Sequence, residues 1–211
     1  MNARDAILGR IRAAVADLPA DPVEVPRAYL RSAPGITPGD RTVTIELFTE
    51  RLQEYGATVR RVPETDLPAA VADALDERSA RSAVVPDGFP AAWLGKWSGV
   101  ILREDPPLSK AELDATDAVV TMCAAAIADS GTIVLDAGPG QGRRAPTLVP
   151  DTHVCVVRED QVGSSMPEVI TLLDPRRPIT WISGPSATAD IEMIRVEGVH
   201  GPRKLTVLIT T

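Results

Sequence analysis

The stretch W-I-S-G-P-S-A-T-A-D-I-E-M-I-R-V-E-G-V-H-G-P-R-K-L-T-V-L-I, residues Trp181 to Ile209, decides the fold that we expect for this chain. An apolar run ends at a glycine turn that begins at Gly184, and a second apolar run follows another glycine turn that begins at Gly198. Strand, glycine turn, short helix, glycine turn and strand is an order typical of an α/β sheet that binds a ligand at its loop edge. We therefore expect the functional site in this stretch.

The first glycine turn is a candidate site for an anion. If a helix starts after Gly184, its first backbone N–H groups favour a negative charge, and the hydroxyls of Ser186 and Thr188 add donors for a phosphate or carboxylate. The alternative is that Ser186 only caps the helix. The turn matches neither the dinucleotide-binding glycine pattern nor the Walker pattern, so we predict no nucleotide, and nothing else in the sequence implies a cofactor.

Asp190, Glu192 and His200 are the candidate catalytic residues. The two acids would diverge by about 200° on a helix, whereas they would share one face of a strand. His200 lies in a glycine turn, V-H-G-P, where an imidazole can act as an acid or a base. The structural alternatives are a cap or ion pair for each acid and a turn-holding hydrogen bond for the histidine.

Arg143 and Arg144 follow the glycine-rich run A-G-P-G-Q-G and could hold a carboxylate or phosphate, although exposed loop charges are the common alternative. His153, by contrast, has the apolar neighbours of a strand and is predicted to be structural. The two histidines lack zinc-site spacing, so no metal site is predicted. Cys123 and Cys155 lie in apolar surroundings and are expected to be buried, reduced thiols.

Composition narrows the class of partner. The net charge of −7 argues against nucleic acid or an anionic membrane as the main partner. No apolar run approaches the roughly 20 residues of a membrane span, and the first residues do not have the composition of a signal peptide. A cytoplasmic protein is the expectation.

The chain is predicted to have two parts. Residues 1–40 comprise an amphipathic helix, Asn2 to Asp17, and a proline-rich arm, and residues 41–211 form the main domain. Because the apolar stripe of the helix is too short to be stable alone in water, we expect it to dock on its own domain, on a partner or on a second copy of the chain.

Within the main domain, strands alternate with short helices, which predicts a mostly parallel or mixed sheet with helices on both faces. The first helix, Thr42 to Tyr55, is expected to turn Val43, Leu47 and Leu52 inward. The small-residue segment Cys123 to Ala128 is predicted to be a helix packed on the sheet. The segment Gly131 to Val157 is a candidate for antiparallel pairing, because its loop is too short for a crossover helix.

Four stretches together resemble the lactate-utilization (LUD) domain family. They are I-A-D-S-G-T-I-V-L (Ile127 to Leu135), L-V-P-D-T-H-V (Leu148 to Val154), G-P-S-A-T-A-D-I-E (Gly184 to Glu192) and G-V-H-G-P-R-K-L (Gly198 to Leu205). The resemblance implies a three-layer, Rossmann-like mixed sheet of the type found in ribose-phosphate isomerases and CoA transferases. It assigns no catalytic residue.

The resemblance also implies a role in oxidising L-lactate to pyruvate, as one of three components of which the other two carry iron–sulfur clusters. With only two cysteines, this chain would be the accessory or substrate-binding subunit without clusters. The alternative is a stand-alone enzyme that binds a sugar phosphate or an acyl-CoA at its strand-end loops.

Overall fold

The computed structural model of the protein describes residues 3–17, 24–26, 28–29, 33–37, 39–185, 187–189, 195–197 and 200–211. Within these residues the helices are α1 (Ala3–Ala14), α2 (Arg41–Glu54), α3 (Leu67–Asp76), α4 (Lys110–Asp114) and α5 (Met166–Val169). The strands are β1 (Thr58–Val62), β2 (Ser82–Val84), β3 (Val100–Leu102), β4 (Ala118–Met122), β5 (Ala125–Ile127), β6 (Thr132–Leu135), β7 (Thr152–Arg158), β8 (Val162–Gly163), β9 (Thr180–Ile182), β10 (Ala187–Ala189), β11 (Arg195–Glu197) and β12 (Lys204–Thr210).

The larger sheet has six strands in the order β1-β12-β7-β4-β2-β3, and every neighbouring pair is parallel. The smaller sheet has the order β8-β5-β6-β9 and mixes parallel and antiparallel pairs. The α/β fold with a parallel multi-stranded sheet is thus confirmed. Among the described strands, antiparallel pairing is confined to the smaller sheet and to a hairpin of β10 and β11.

Two apolar clusters fill the space on either side of the larger sheet. On one face, α3 and the single-turn segment Ala91–Leu94 pack over Val120, Val154 and Leu208. On the other face, α2 packs together with residues of the smaller sheet over Val207, Ile209 and neighbouring side chains. The second face is therefore covered by α2 together with the smaller sheet. Helices lie on both faces, as predicted, and the smaller sheet that shares the second face was not predicted.

The segment Cys123 to Ala128 is not a helix, because residues 125–127 form β5 in the middle of the smaller sheet. Alanine favours helices only weakly, and tertiary packing overrides that preference. Ala126 is fully buried between the smaller sheet and the larger one, where a longer side chain would hold the two layers apart.

The antiparallel pairing predicted for Gly131 to Val157 holds only in part. β6 pairs antiparallel with β5 and β9, whereas β7 belongs to the larger sheet and lies parallel to its neighbours. Of the three α2 residues predicted to face inward, Leu52 is buried, Leu47 is half-buried and packs on the core, and Val43 is 40% exposed. The prediction is wrong for Val43, and it did not include the buried Ile45 and Phe48.

The N-terminal helix α1 has no buried residue, and Asn2, its predicted cap, lies outside the described residues. In the following arm, Ala33 and Ile36 are buried, and the backbone N–H of Ala33 donates to Ser164 Oγ over 3.4 Å. Within the part of the chain that the structure describes, no helix has the length and apolar character needed to cross a membrane.

Candidate functional site

A cleft of about 290 Å³ opens between the two sheets. The larger sheet contributes His153 and Leu205, which are paired with each other at the beginnings of β7 and β12. The smaller sheet contributes its edge strand β9, with Trp181 and Ile182, and the adjoining Ser183. This volume is close to the lower end of the roughly 300–1,000 Å³ seen for ligand pockets, which favours a small metabolite.

The cleft lies at the amino-terminal ends of the parallel strands, whereas ligands of open α/β sheets usually bind beyond the carboxyl ends. At the carboxyl ends of β2 and β4, where a ligand would usually bind, the glycine-rich loop Ala137 to Gly142 fills the space. Gly140 donates its N–H to the Asp87 carbonyl over 2.7 Å and accepts the N–H of Met122 over 2.7 Å. A Cβ on Gly88 would lie 2.8 Å from Pro139 Cβ, so the loop packs tightly there.

Three of the predicted site residues line the cleft: Gly184, His200 and Arg144. His200 and Arg144 are both exposed. Among the described residues, Arg144 forms no ion pair, so its guanidinium is available to an anionic ligand.

The structure separates Arg143 from this group. Its Nε and Nη2 donate to the carboxylate of Glu104, and Nη2 also donates to the carbonyl of Leu108 over 2.6 Å. The guanidinium thus has an anionic partner from within the chain. A ligand contact by Arg143 stays a prediction, and Arg144 is the better candidate of the two.

The segment after Gly184 is a strand and not the start of a helix. Residues 187–189, which include Thr188, pair antiparallel with residues 195–197 as β10 and β11. The predicted helix start after Gly184 is therefore wrong, while the binding of an anion by Gly184 and Thr188 stays a prediction. Ser186, Asp190 and Glu192 lie outside the described residues, and their predicted roles stay predictions.

His153, for which a purely structural role was predicted, forms part of the cleft wall. Its ring is 1% exposed, and Nε2 lies 2.8 Å from Oγ1 of the buried Thr121. Burial lowers the pKa of the imidazole from 6.5 to about 4, so the ring is neutral at pH 7. A histidine in a strand has the same sequence pattern whether or not it borders a cleft. The one available signal was its position in L-V-P-D-T-H-V.

A chain of hydroxyl groups leads from the stretch I-A-D-S-G-T to the cleft. Ser130 Oγ lies 2.8 Å from Thr132 Oγ1, and Thr132 Oγ1 lies 2.7 Å from Ser183 Oγ. At the far end, burial raises the pKa of Asp129, and hydrogen bonds from Ser130 oppose that shift. Thr132 and Ser183 thus join the start of β6 to the end of β9, and Ser183 presents the chain to the cleft.

An ion-pair cluster holds the two strand starts of the larger sheet together. Asp151, just before β7, accepts from Arg203 Nε and lies 3.7 Å from Lys204 Nζ at the start of β12. The hydrogen bond from Arg203 lowers the pKa of Asp151. In addition, the N–H of Lys204 donates to the Asp151 carbonyl over 3.1 Å. The strand starts held in this way bring His153 and Leu205 into the cleft wall, which His200 also lines.

Two glycines let the C-terminal end of α2 approach the site. A Cβ on Gly184 would lie 2.5 Å from Tyr55 Cβ, and a Cβ on Gly131 would lie 2.9 Å from Arg51 Cβ. Both glycines have positive φ, +83° and +58° respectively. Three of the four sequence stretches that carried the family resemblance contribute residues to the cleft wall, and the fourth, Ile127 to Leu135, is joined to it by the contact of Thr132 with Ser183.

The fold and the cleft define an α/β protein with a candidate site for a small ligand between its two sheets. The cleft offers a cation, a neutral imidazole and a hydroxyl. Among the described residues, no group of three or more His, Cys, Asp or Glu side chains is arranged to hold a metal ion.

Comparison with known proteins places this architecture in a family. The LUD domain model matches residues 45–210. The chain is similar to lactate utilization protein C of Deinococcus radiodurans, with 50% identity over 176 residues, which is 82% of either chain. It is also similar to lactate utilization protein C of Halalkalibacterium halodurans, with 30% identity over 75% of either chain.

A crystal structure of a DUF162 family protein from Deinococcus radiodurans has a similar fold. The TM-score is 0.70 at 41% sequence identity, and the match covers 82% of this chain and all of that one. The chain therefore belongs to the LUD domain family.

Proposed function

We propose that this protein is the cluster-free component of a multi-subunit system that oxidises L-lactate to pyruvate, and that its cleft binds the small carboxylate. The relatives named lactate utilization protein C support the pathway. The presence of only two cysteines supports the assignment of the clusters to the other components, because an iron–sulfur cluster usually needs about four thiolates. Both cysteines are free and buried.

The observation that carries the ligand class is the cationic Arg144 at a small cleft that is otherwise lined by neutral and apolar groups. A guanidinium pairs with a carboxylate through two parallel hydrogen bonds, a geometry that lysine cannot match. The apolar walls, which include Leu148, Ile182 and Leu205, suit a ligand with a short carbon chain. His200 is the candidate acid or base at the rim.

Reconstitution tests the pathway. The chain and the two cluster-bearing components of the same organism are co-expressed, and lactate-dependent reduction of an electron acceptor is measured with and without this chain. We expect the three components to co-purify and the rate to depend on this chain. Separate migration of every component, together with an unchanged rate when the chain is omitted, would reject the proposal.

The two neighbouring arginines provide a matched test of the cleft. We expect Arg144→Gln to raise the lactate concentration needed for half-maximal rate by about tenfold, the loss of roughly one charge-assisted hydrogen bond. Arg143→Gln removes the same charge from the adjacent position and should leave that concentration unchanged. Equal effects of the two variants would show that the charge of the loop matters and not the cleft contact.

A thermal-shift panel separates the proposal from a stand-alone enzyme. A ligand that binds the native state raises the melting temperature with the logarithm of its concentration. We expect L-lactate or pyruvate to stabilise the chain. Stabilisation by sugar phosphates or CoA esters, and not by the two acids, would favour the stand-alone enzyme instead.

A further inference from the structure

His153 is buried in the wall of the cleft and has one ring nitrogen without a protein partner. Alternation along β7 places it on the same face as Cys155 and Val157, toward the smaller sheet. Its Nε2 is held by Thr121 Oγ1 at 2.8 Å. Within the described residues, the other ring nitrogen, Nδ1, has no hydrogen bond. Among the described side chains, the polar atoms that are closed off from solvent without a partner are Ser165 Oγ and Thr210 Oγ1. Nδ1 is not one of them, so a group that occupies the cleft can reach it.

The chemistry of that group follows from the charge of the imidazole. The ring is neutral at pH 7, because burial lowers its pKa to about 4. A neutral imidazole has one donor and one acceptor nitrogen and no net charge. With Nε2 engaged by Thr121, Nδ1 supplies the remaining role and does not favour a second anionic group. It suits a hydroxyl or carbonyl oxygen. Thr121 is itself fully buried and fixes the plane of the ring, so the direction of the hydrogen bond is set before a ligand arrives.

We propose that His153 is a binding residue whose Nδ1 contacts the oxygen on C2 of a small 2-hydroxy or 2-oxo carboxylate, while Arg144 holds the carboxylate. This rests on the proposed function, because it assumes that the cleft binds the acid. It adds a basis for specificity: an acid without an oxygen on C2 leaves Nδ1 without a partner. A hydrogen-bonding site of this type rejects an analogue that lacks the partner atom.

The sequence contains only two histidines, His153 and His200, so nitrogen NMR of the intact chain can test the proposal. The full-length protein is labelled with ¹⁵N-histidine, and the two rings are assigned with a His200→Gln variant. The probes are pyruvate, L-lactate, propionate and inorganic phosphate, and the melting temperature is recorded for each. Propionate is the matched control, since it keeps the carboxylate and lacks the oxygen on C2.

We expect pyruvate or L-lactate to shift the Nδ1 resonance of His153 more than its Nε2 resonance, and propionate to leave both in place. Propionate should also bind about tenfold more weakly, the loss of one hydrogen bond. The native ring is observed directly, so the result does not depend on whether a His153 variant folds.

Three outcomes would overturn the proposal. If pyruvate or lactate raises the melting temperature while the His153 ring resonances stay in place, the ligand binds without His153, and the proposed function stands. If propionate shifts Nδ1 as strongly as pyruvate does, His153 does not contact the C2 oxygen. If none of the four probes changes the melting temperature or either ring, carboxylate binding in the cleft fails together with the role of His153. The reconstitution then decides separately whether the chain belongs to the lactate system.

Discussion

Burial of the His153 imidazole makes the stability of the fold depend on pH. The pKa of this ring is lowered to about 4 in the native state, whereas an unfolded chain restores a value near 6.5. Between these values the unfolded state binds the extra proton, so the free energy of unfolding falls as the pH falls. This stability is fully present above pH 6.5. Roughly 2 kcal/mol of it is lost as the pH falls from 6.5 to 5.

Urea unfolding at pH 7, 6 and 5 measures this dependence. We expect His153→Gln to remove most of the decrease in unfolding free energy over that range, because glutamine does not titrate. His200→Gln should retain the decrease, since the buried ring is intact in that variant. The carboxylates of Asp117 and Asp151, whose pKa values are lowered, contribute mainly below this range. The same decrease in wild type and His153→Gln would contradict the burial argument.

Gly184 has two structural reasons to be glycine. Its φ of +83° lies in the left-handed region, and a Cβ would lie 2.5 Å from Tyr55 Cβ. Gly56 has φ +87° but open space around the position of a Cβ. Gly56→Ala should therefore cost only the backbone term, about 1 kcal/mol. Gly184→Ala should cost about 2–4 kcal/mol, because overpacking is added.

Chemical denaturation of both glycine variants checks the difference between them. We also expect Gly184→Ala to weaken ligand binding in the thermal-shift panel, since the turn is part of the cleft wall. Equal losses of stability in the two variants would show that Tyr55 moves aside without cost.

Single residues also show how far the sequence predicts the site. Glycine turns and charge, which are local features, were enough to propose Gly184, Arg144 and His200, and these three line the cleft. Arg143 and Arg144 are indistinguishable in the sequence, because what separates them is Glu104, a residue 39 positions away. His153 was missed for a similar reason: its partner Thr121 comes from a neighbouring strand.

The helix α2 determines how the second face of the larger sheet is covered. Its buried residues include Ile45, Phe48 and Leu52, spaced three and four apart, while Val43 is 40% exposed. Phe48→Ala should lower the free energy of unfolding by about 3–5 kcal/mol, through lost burial and a cavity between α2 and the sheets. Val43→Ala should change it by no more than about 0.5 kcal/mol.

Guanidinium unfolding of these two α2 variants tests the register directly. If Val43→Ala lowers the free energy of unfolding as much as Phe48→Ala does, Val43 faces the core, as the apolar spacing predicted. Sequence pattern alone did not separate Val43 from the buried residues, because it is as apolar as Ile45. Which side of α2 faces the core depends on the sheet residues that pack against it. The apolar periodicity of α2 alone carries no information about those residues.

At the same scale, two helices predicted from the sequence are strands in the structure. The alanine-rich segment after Cys123 became β5, and the segment after Gly184 became the hairpin of β10 and β11. Each of the strands β5, β10 and β11 is three residues long. Such short segments carry too little periodicity to separate helix from strand, so long-range pairing determines their conformation.

For the molecule as a whole, the alternation of strands and helices was sufficient to predict the parallel sheet, because parallel strands need crossover connections. The smaller sheet was not predictable in the same way. Its strands β5, β6, β8 and β9 are contributed by separate parts of the chain, between residues 125 and 182. Its position over the larger sheet creates the cleft, which is why the sequence indicated candidate residues but not the geometry of the site.

Truncation from the N-terminus tests the predicted division at residues 40 and 41. Because α1 has no buried residue, a chain that lacks residues 2–17 should unfold with a free energy within about 0.5 kcal/mol of the full chain. Removal of residues 2–40 also deletes the buried Ala33 and Ile36, and should cost about 2–4 kcal/mol. A matched pair of urea curves at pH 7 measures both values. If the two truncated chains are equally stable, the arm contributes nothing to stability and the domain begins at residue 41.

If the shorter deletion already costs several kcal/mol, α1 docks on its own domain. The expected result, a loss only in the longer deletion, would make residues 33–40 part of the packed domain and leave the apolar stripe of α1 for a contact outside it.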